Sequence, residues 1–215
     1  MTLGQTLRDA EASRRAKRDP ALSAKMDAAT DELAESGIVD NSLKVGGQAP
    51  DFELPDVRGE PMALSDALKE GPVVLSFYRG GWCPYCNLEL RHLQSYLPKF
   101  EAEGAKLIAV SPQTPNASLS TTEKDELTFT VLSDVGNKVA RDYGLVFTLP
   151  ESLHGMYGNP DGINLEKDNG DKSFELPVPA TYVIAKDGRV AYAFAHADYT
   201  KRAEPDEVLA ALKTL

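Results

Sequence analysis

The first forty residues repeat their apolar positions at helical spacing. Leu3, Leu7 and Ala10 mark one short helix. Leu22, Met26, Ala29 and Leu33 mark a second, for which Asp19 offers a cap, Pro20 a first position and Gly37 a stop. From Val45 the pattern turns to short extended pieces broken by proline and glycine. Gly46–Pro55 and Pro61–Ser65 flank the turn at 56–60 and read as a β-hairpin, after which Ser65 would cap a short helix to Lys69. Val73–Tyr78 is a continuous apolar run of strand length, and residues 84–103 return to helical period, with Cys86, Leu90, Leu93, Leu97 and Phe100 on one face and Pro98 expected to kink or interrupt it. On that helix Glu89 and Arg91 are expected on the wet side, and His92 as an ordinary surface residue.

Further strands follow at 106–111 and 129–133, with helices at 114–127 and 137–143. Residues 150–176, rich in Gly, Pro, Asn and Asp, break the alternation after one short helix. A loop of that length inside a compact domain is often functional, and this one is expected to border the site and help choose the substrate. Ala180–Ala185 and Val190–Ala195, joined by Lys186-Asp187-Gly188-Arg189, read as an antiparallel hairpin before a last helix opened by Pro205. Strands alternating with helices predict an α/β fold with a mixed central sheet flanked by helices. We divide the chain into a helical N-terminal extension, 1–42, and a main domain, 43–215. The narrow stripe of the second helix suits packing onto that domain or a homodimer contact.

The chain has 215 residues and a formal net charge of −10, which disfavours nucleic acids and anionic membranes as partners. No apolar run approaches the roughly 18 residues of a membrane span. The N-terminus lacks the apolar core of a secretory signal, so a reducing cytoplasm is the expected location.

Both cysteines of the chain lie in Trp82-Cys83-Pro84-Tyr85-Cys86. They follow a buried strand and a Gly80-Gly81 bend and open a helix. That context marks a redox pair rather than a zinc half-site or a structural disulfide, because three scattered histidines (His92, His154, His196) give no ligand spacing. A helix N-terminus favours the thiolate, Pro84 suits the first turn, and a spacing of three places the sulfurs side by side. Cys83, at the tip, is expected to be exposed and nucleophilic, and Cys86 to lean into the core. Arg79 offers a nearby cation, and Trp82 and Tyr85 offer contact surface for a substrate. No cofactor or metal is called for.

The order of elements over roughly 43–215 resembles the thioredoxin superfamily, and Cys-Pro-Tyr-Cys resembles the glutaredoxin active site. The resemblance implies a cis proline facing the dithiol, a position matched by Pro179. Gly46–Leu54 with its hairpin, Phe77-Tyr78, Leu176–Ile184 and Asp198-Tyr199-Thr200 running to Pro205 resemble more narrowly the peroxiredoxin-like proteins of the alkyl hydroperoxide reductase/thiol-specific antioxidant family. In that register Cys86 stands at the peroxidatic position, while Arg79, Cys83 and Pro179 replace the proline, threonine and arginine that usually support it. Two activities follow as expectations. In the first, Cys83 attacks a disulfide and Cys86 resolves it. In the second, Cys86 reduces a hydroperoxide and Cys83 resolves. Either needs an external thiol reductant of the thioredoxin, glutaredoxin or glutathione type. A non-catalytic redox sensor is the third reading.

Overall fold

A computed structural model describes residues 1–215. In chain order the elements are α1 (Leu3–Arg15), α2 (Pro20–Glu35), α3 (Ile38–Asn41), β1 (Glu53–Pro55), β2 (Pro61–Ala63), α4 (Leu64–Glu70), β3 (Val73–Phe77), α5 (Pro84–Ala102), β4 (Lys106–Ser111) and α6 (Pro115–Lys124). There follow β5 (Thr130–Ser133), α7 (Lys138–Asp142), β6 (Val146–Thr148), α8 (Glu151–Tyr157), α9 (Leu165–Asn169), β7 (Glu175–Pro177), β8 (Ala180–Ile184), β9 (Val190–Ala195) and α10 (Pro205–Leu212).

The central sheet has five strands in the order β5-β4-β3-β8-β9. β3 runs parallel to β4 and antiparallel to β8, so the sheet is mixed, as the pattern predicts. β3 is buried throughout and feeds two cores by the period-2 rule. Val73, Leu75 and Phe77 face one core with α4 and α7 residues. Val74 and Tyr78 face the other, which holds both cysteines together with α5, α10 and Leu3 and Leu7 of α1.

The N-terminal helices pack on the same chain. The first backbone amides of α1, Leu3 N–H and Gly4 N–H, donate to the Glu204 carboxylate at 3.1 and 2.8 Å, just ahead of α10. Asp19 caps α2 as expected, its Oδ1 accepting from Ala21 N–H at 2.9 Å. The α2 stripe meets a small core of its own, where Met26 joins Leu149, Leu153, Tyr157, Leu165 and Leu176.

Several details depart from the expectation. α5 runs through Pro98 without interruption. Pro98 is exposed and the buried Leu97 and Phe100 anchor the last turn on either side of it. Ser65 lies inside α4 rather than capping it, and its backbone N–H donates to Asp51 Oδ1 at 2.9 Å. β6 and β7 form an additional two-stranded antiparallel ribbon, three residues per strand. Elements that short carry no readable periodicity.

Candidate active site

The site begins where β3 ends. Gly80 takes φ +149°, and a side chain there would strike the Trp82 indole at 2.4 Å. The bend is pinned from three directions. Gln113 Oε1 accepts from Gly81 N–H at 2.8 Å, Asn87 Nδ2 donates to Gly81 O at 2.8 Å, and Cys83 N–H donates to Gly80 O at 3.0 Å. Cys83 is the N-cap of α5, and its carbonyl accepts the first helical bond, from Asn87 N–H at 3.1 Å. Pro84 takes the first helical position, where its missing N–H costs nothing.

Both thiols are free and buried, Cys83 at 1% exposure. This corrects the expectation of an exposed Cys83. Leu3 and Leu7 of the N-terminal extension share its core, and the Tyr85 hydroxyl beside it is hydrogen-bonded to Glu11 of α1. Tyr85 therefore faces α1 rather than open solvent.

Charge is concentrated around the pair. Arg79, expected as a loop cation, is buried. Its guanidinium lies 5.1, 5.4 and 4.8 Å from the ring centres of Trp82, Tyr157 and Tyr199, and Nη2 donates to Tyr157 Oη at 2.8 Å. Tyr157 brings the 150–176 segment to the site, with its ring edge-on to Trp82 at 5.4 Å. A second buried guanidinium, Arg202, stands on the other side. Its Nη2 donates to Cys86 Sγ at 3.3 Å, its Nη1 donates to the Tyr199 and Lys201 carbonyls at 2.5 and 2.8 Å, and its Nε pairs with Glu89. Asp198 forms the turn that presents it, its Oδ1 accepting from Thr200 N–H and Oγ1 at 2.9 and 2.7 Å.

Glu89 is therefore not on the wet side. It lies one helical turn after Cys86 on the same inward face, 1% exposed, and it is tolerated there because Arg202 neutralises it. Arg91 does reach the surface, where it pairs with Asp125 at 2.8 Å. His92 is half-buried, and its ring Nδ1 is hydrogen-bonded to the Leu88 carbonyl at 3.2 Å.

The electrostatics separate the two thiols. Burial alone would push Cys83 up; the Cys86 thiol, Arg79, Arg202 and the Cys86 backbone N–H outweigh it and bring Cys83 down to about 6. Burial and the neighbouring Cys83 thiolate push Cys86 well above its ordinary value, against the pull of Arg202. Burial also lifts Glu89 to about 7, despite Arg202.

Pro179 is a correction. No peptide bond in the chain is cis, so Val178-Pro179 is trans. Val178 N–H continues the β7 side of the ribbon with a 2.8 Å bond to Leu145 O, which suits extended chain and the ordinary preference of an X-Pro bond. Pro179 is buried and lines a cavity with Arg79 and Tyr199. The groups set against the cysteines are guanidiniums instead. Arg202 and Glu89 escaped sequence reading, although both left a signal. Glu89 sits three residues after Cys86 on the apolar face, and Arg202 lies within the 198–205 stretch that carries the family resemblance.

The model of the AhpC/TSA family matches residues 45–193. The chain belongs to this family. Chloroplastic peroxiredoxin Q of Triticum aestivum is 31% identical over 161 residues, covering 75% of this chain and 63% of the relative. This chain thus spans less than two thirds of that protein. The thiol-disulfide oxidoreductase ResA of Bacillus thuringiensis subsp. konkukian is 25% identical over 152 residues, 70% of this chain and 69% of ResA. Among solved structures, peroxidoxin BcpB from Mycobacterium tuberculosis superposes with a TM-score of 0.63 at 26% identity, covering 80% of this chain and 98% of that one. The fold is thioredoxin-like and peroxiredoxin-like, with helices on both faces of the mixed sheet. No helix is long and apolar enough to cross a membrane.

Proposed function

We propose that this peroxiredoxin-like oxidoreductase is a dithiol:disulfide oxidoreductase in which Cys83 attacks first. The observation that carries this reading is the position of the pair: Cys83 is the N-cap of α5, at the positive end of the helix, and Cys86 lies inside the first turn, fully buried. The guanidiniums draw Cys83 down and burial pushes Cys86 up, in the same sense. The Cys83 thiolate attacks one sulfur of the substrate disulfide, forming a mixed disulfide and expelling the other sulfur as a thiolate. Cys86 then loses its proton and attacks Cys83 Sγ, closing the Cys83–Cys86 disulfide and releasing the second thiolate. Glu89, buried and titrating near neutrality on the far side of Arg202, is suited to take up that proton. An external dithiol or glutathione-type reductant, as found in a reducing cytosol, returns the two electrons.

A second reading rests on one contact, Arg202 Nη2 at 3.3 Å from Cys86 Sγ. It puts a cation and a hydrogen-bond donor beside the peroxidatic position, from a different part of the chain than Pro179. Here the Cys86 thiolate attacks the terminal peroxide oxygen, the O–O bond breaks and an alcohol leaves. Cys83 then displaces water from the sulfenic acid to form the same disulfide. Serine variants separate the two. On the first reading, Cys86→Ser still attacks a disulfide and accumulates a mixed disulfide detectable by mass, and Cys83→Ser loses its remaining thiol to stoichiometric hydrogen peroxide no faster than a free small thiol. A rate orders of magnitude above that reference establishes the second reading and removes the first.

A further inference from the structure

The two buried arginines are partnered differently. Arg202 has an internal carboxylate, Glu89. Arg79 is 3% exposed, has no carboxylate within ion-pair distance, and its buried Nε has no hydrogen-bond partner. Its protein contacts are one tyrosine hydroxyl and three aromatic rings. The Cys83 thiolate shares its charge but leaves the Nε donor unused. A desolvated guanidinium with no carboxylate partner favours an anion beside it.

Arg79 forms part of the wall of a cavity of about 470 Å³. That is within the range of roughly 300–1,000 Å³ typical of small-molecule sites. The rest of the wall is mainly apolar: Met26, Ala29 and Leu33 from α2, and Phe147, Leu149 and Leu153 opposite. The only carboxylate in the lining, Glu32, is an exposed residue of α2. One buried cation in an apolar wall fits a singly charged, planar head group on an apolar body. A phosphate monoester, at about −1.5 to −2, would lack a second cation.

We propose that this cavity binds a medium-chain carboxylic acid, with its carboxylate paired to Arg79 and its chain lying between α2 and the Phe147–Leu153 segment. The α2 wall lies outside residues 45–193, so one side of the pocket comes from the part of the chain that the family model does not span, and Arg79 and the Phe147–Leu153 side come from the part that it does. The proposal holds whichever cysteine attacks first.

Decanoate is the probe, measured by calorimetry on the reduced full-length protein, with decan-1-ol and acetate as controls. Decanoate is expected to bind one-to-one with Kd of about 1–100 µM, and each control at least about tenfold more weakly. A carboxylate paired with Arg79 offsets the charge that lowers Cys83, so saturating decanoate is also expected to raise the pH midpoint of the thiolate ultraviolet absorbance. Arg79→Met should abolish binding. Should that variant fail to fold, Ala29→Phe, which fills the cavity from α2 and keeps the Arg79 side chain, should weaken decanoate by at least about tenfold. Absence of binding, equal affinity for decan-1-ol, undiminished affinity in Ala29→Phe, or binding without a rise in the thiolate midpoint each overturns the proposal.

Discussion

Cys83 and Cys86 share a single pool of positive charge, and how it divides between them decides which sulfur reacts. Arg79 and Arg202 both lower Cys83, and the Arg202 guanidinium also donates to Cys86 Sγ. The midpoint of thiolate formation in the reduced protein is therefore expected near 6, read from ultraviolet absorbance. Arg79→Gln should raise it by about 1–3 units, the usual effect of one close charge. Glu89 has a separate signature. Its folded value of about 7 lies above the ordinary carboxyl value, so the folded state favours its protonated form. That contribution to stability is fully present below the ordinary value near 4.5 and is lost as pH rises through about 7. Glu89→Gln removes the titration. The variant's stability relative to the parent should increase between pH 5 and pH 7.5 by up to about 3 kcal/mol, measured from denaturant midpoints at each pH. Equal pH dependence in the two proteins would show that Glu89 ionises like a surface carboxylate. Arg202 and Glu89 belong to one network, so single substitutions at the two positions should not add.

At the scale of elements, the bend between β3 and α5 sets where the sulfurs lie. Gly81 packs so close to α6 that a Cβ would fall 2.0 Å from Thr121 Oγ1 and 2.9 Å from its Cβ. Gly81→Ala should cost about 1–3 kcal/mol of stability and slow disulfide reduction by moving the N-cap off the two guanidiniums. Adding Thr121→Ala removes the hydroxyl and methyl in the way and should restore part of both, a coupling that a thermal-melt double-mutant cycle detects. Most elements were legible beforehand because their patterns are long. β3, β4, α5, the β8–β9 hairpin and α10 each show a period, a cap or a turn that belongs to one structure. What was hidden is physical in origin. β6 and β7 are too short to show a period, and Pro98 is carried by the packing of Leu97 and Phe100. Glu89 looked like a solvent residue because its partner is 113 positions away. The site was legible to the same degree. The cysteine motif and its strand–bend–helix setting were readable from local sequence. The burial of Cys83 was not, because residues far away in the chain supply it.

Across the whole molecule, the N-terminal helices complete the core that contains the dithiol. Leu3 and Leu7, 1% and 2% exposed, share one apolar cluster with Cys83 and Cys86. Glu11 holds the Tyr85 hydroxyl, and Glu204 caps the start of α1. With Cys83 at 1% exposure, a disulfide as large as a protein's reaches its sulfur only after something moves. α1, whose Leu3 and Leu7 share the core cluster of Cys83, is the candidate cover. It is one helix of 13 residues held by two core leucines, a cap and a few surface ion pairs, so its local opening should be less costly than opening the sheet. Leu7→Ala tests this directly. The substitution should cost about 2–5 kcal/mol of stability. If α1 gates the site, it should also accelerate alkylation of Cys83 by a neutral reagent at a fixed pH, under conditions where the protein stays folded by circular dichroism. The control is Leu212→Ala in α10, in the same core cluster but at the opposite end of the chain. A loss of stability matched to that of Leu7→Ala should leave the labelling rate almost unchanged. Equal acceleration in both variants would mean that Cys83 is reached through global unfolding, and α1 would then be a structural strap over the site rather than its door.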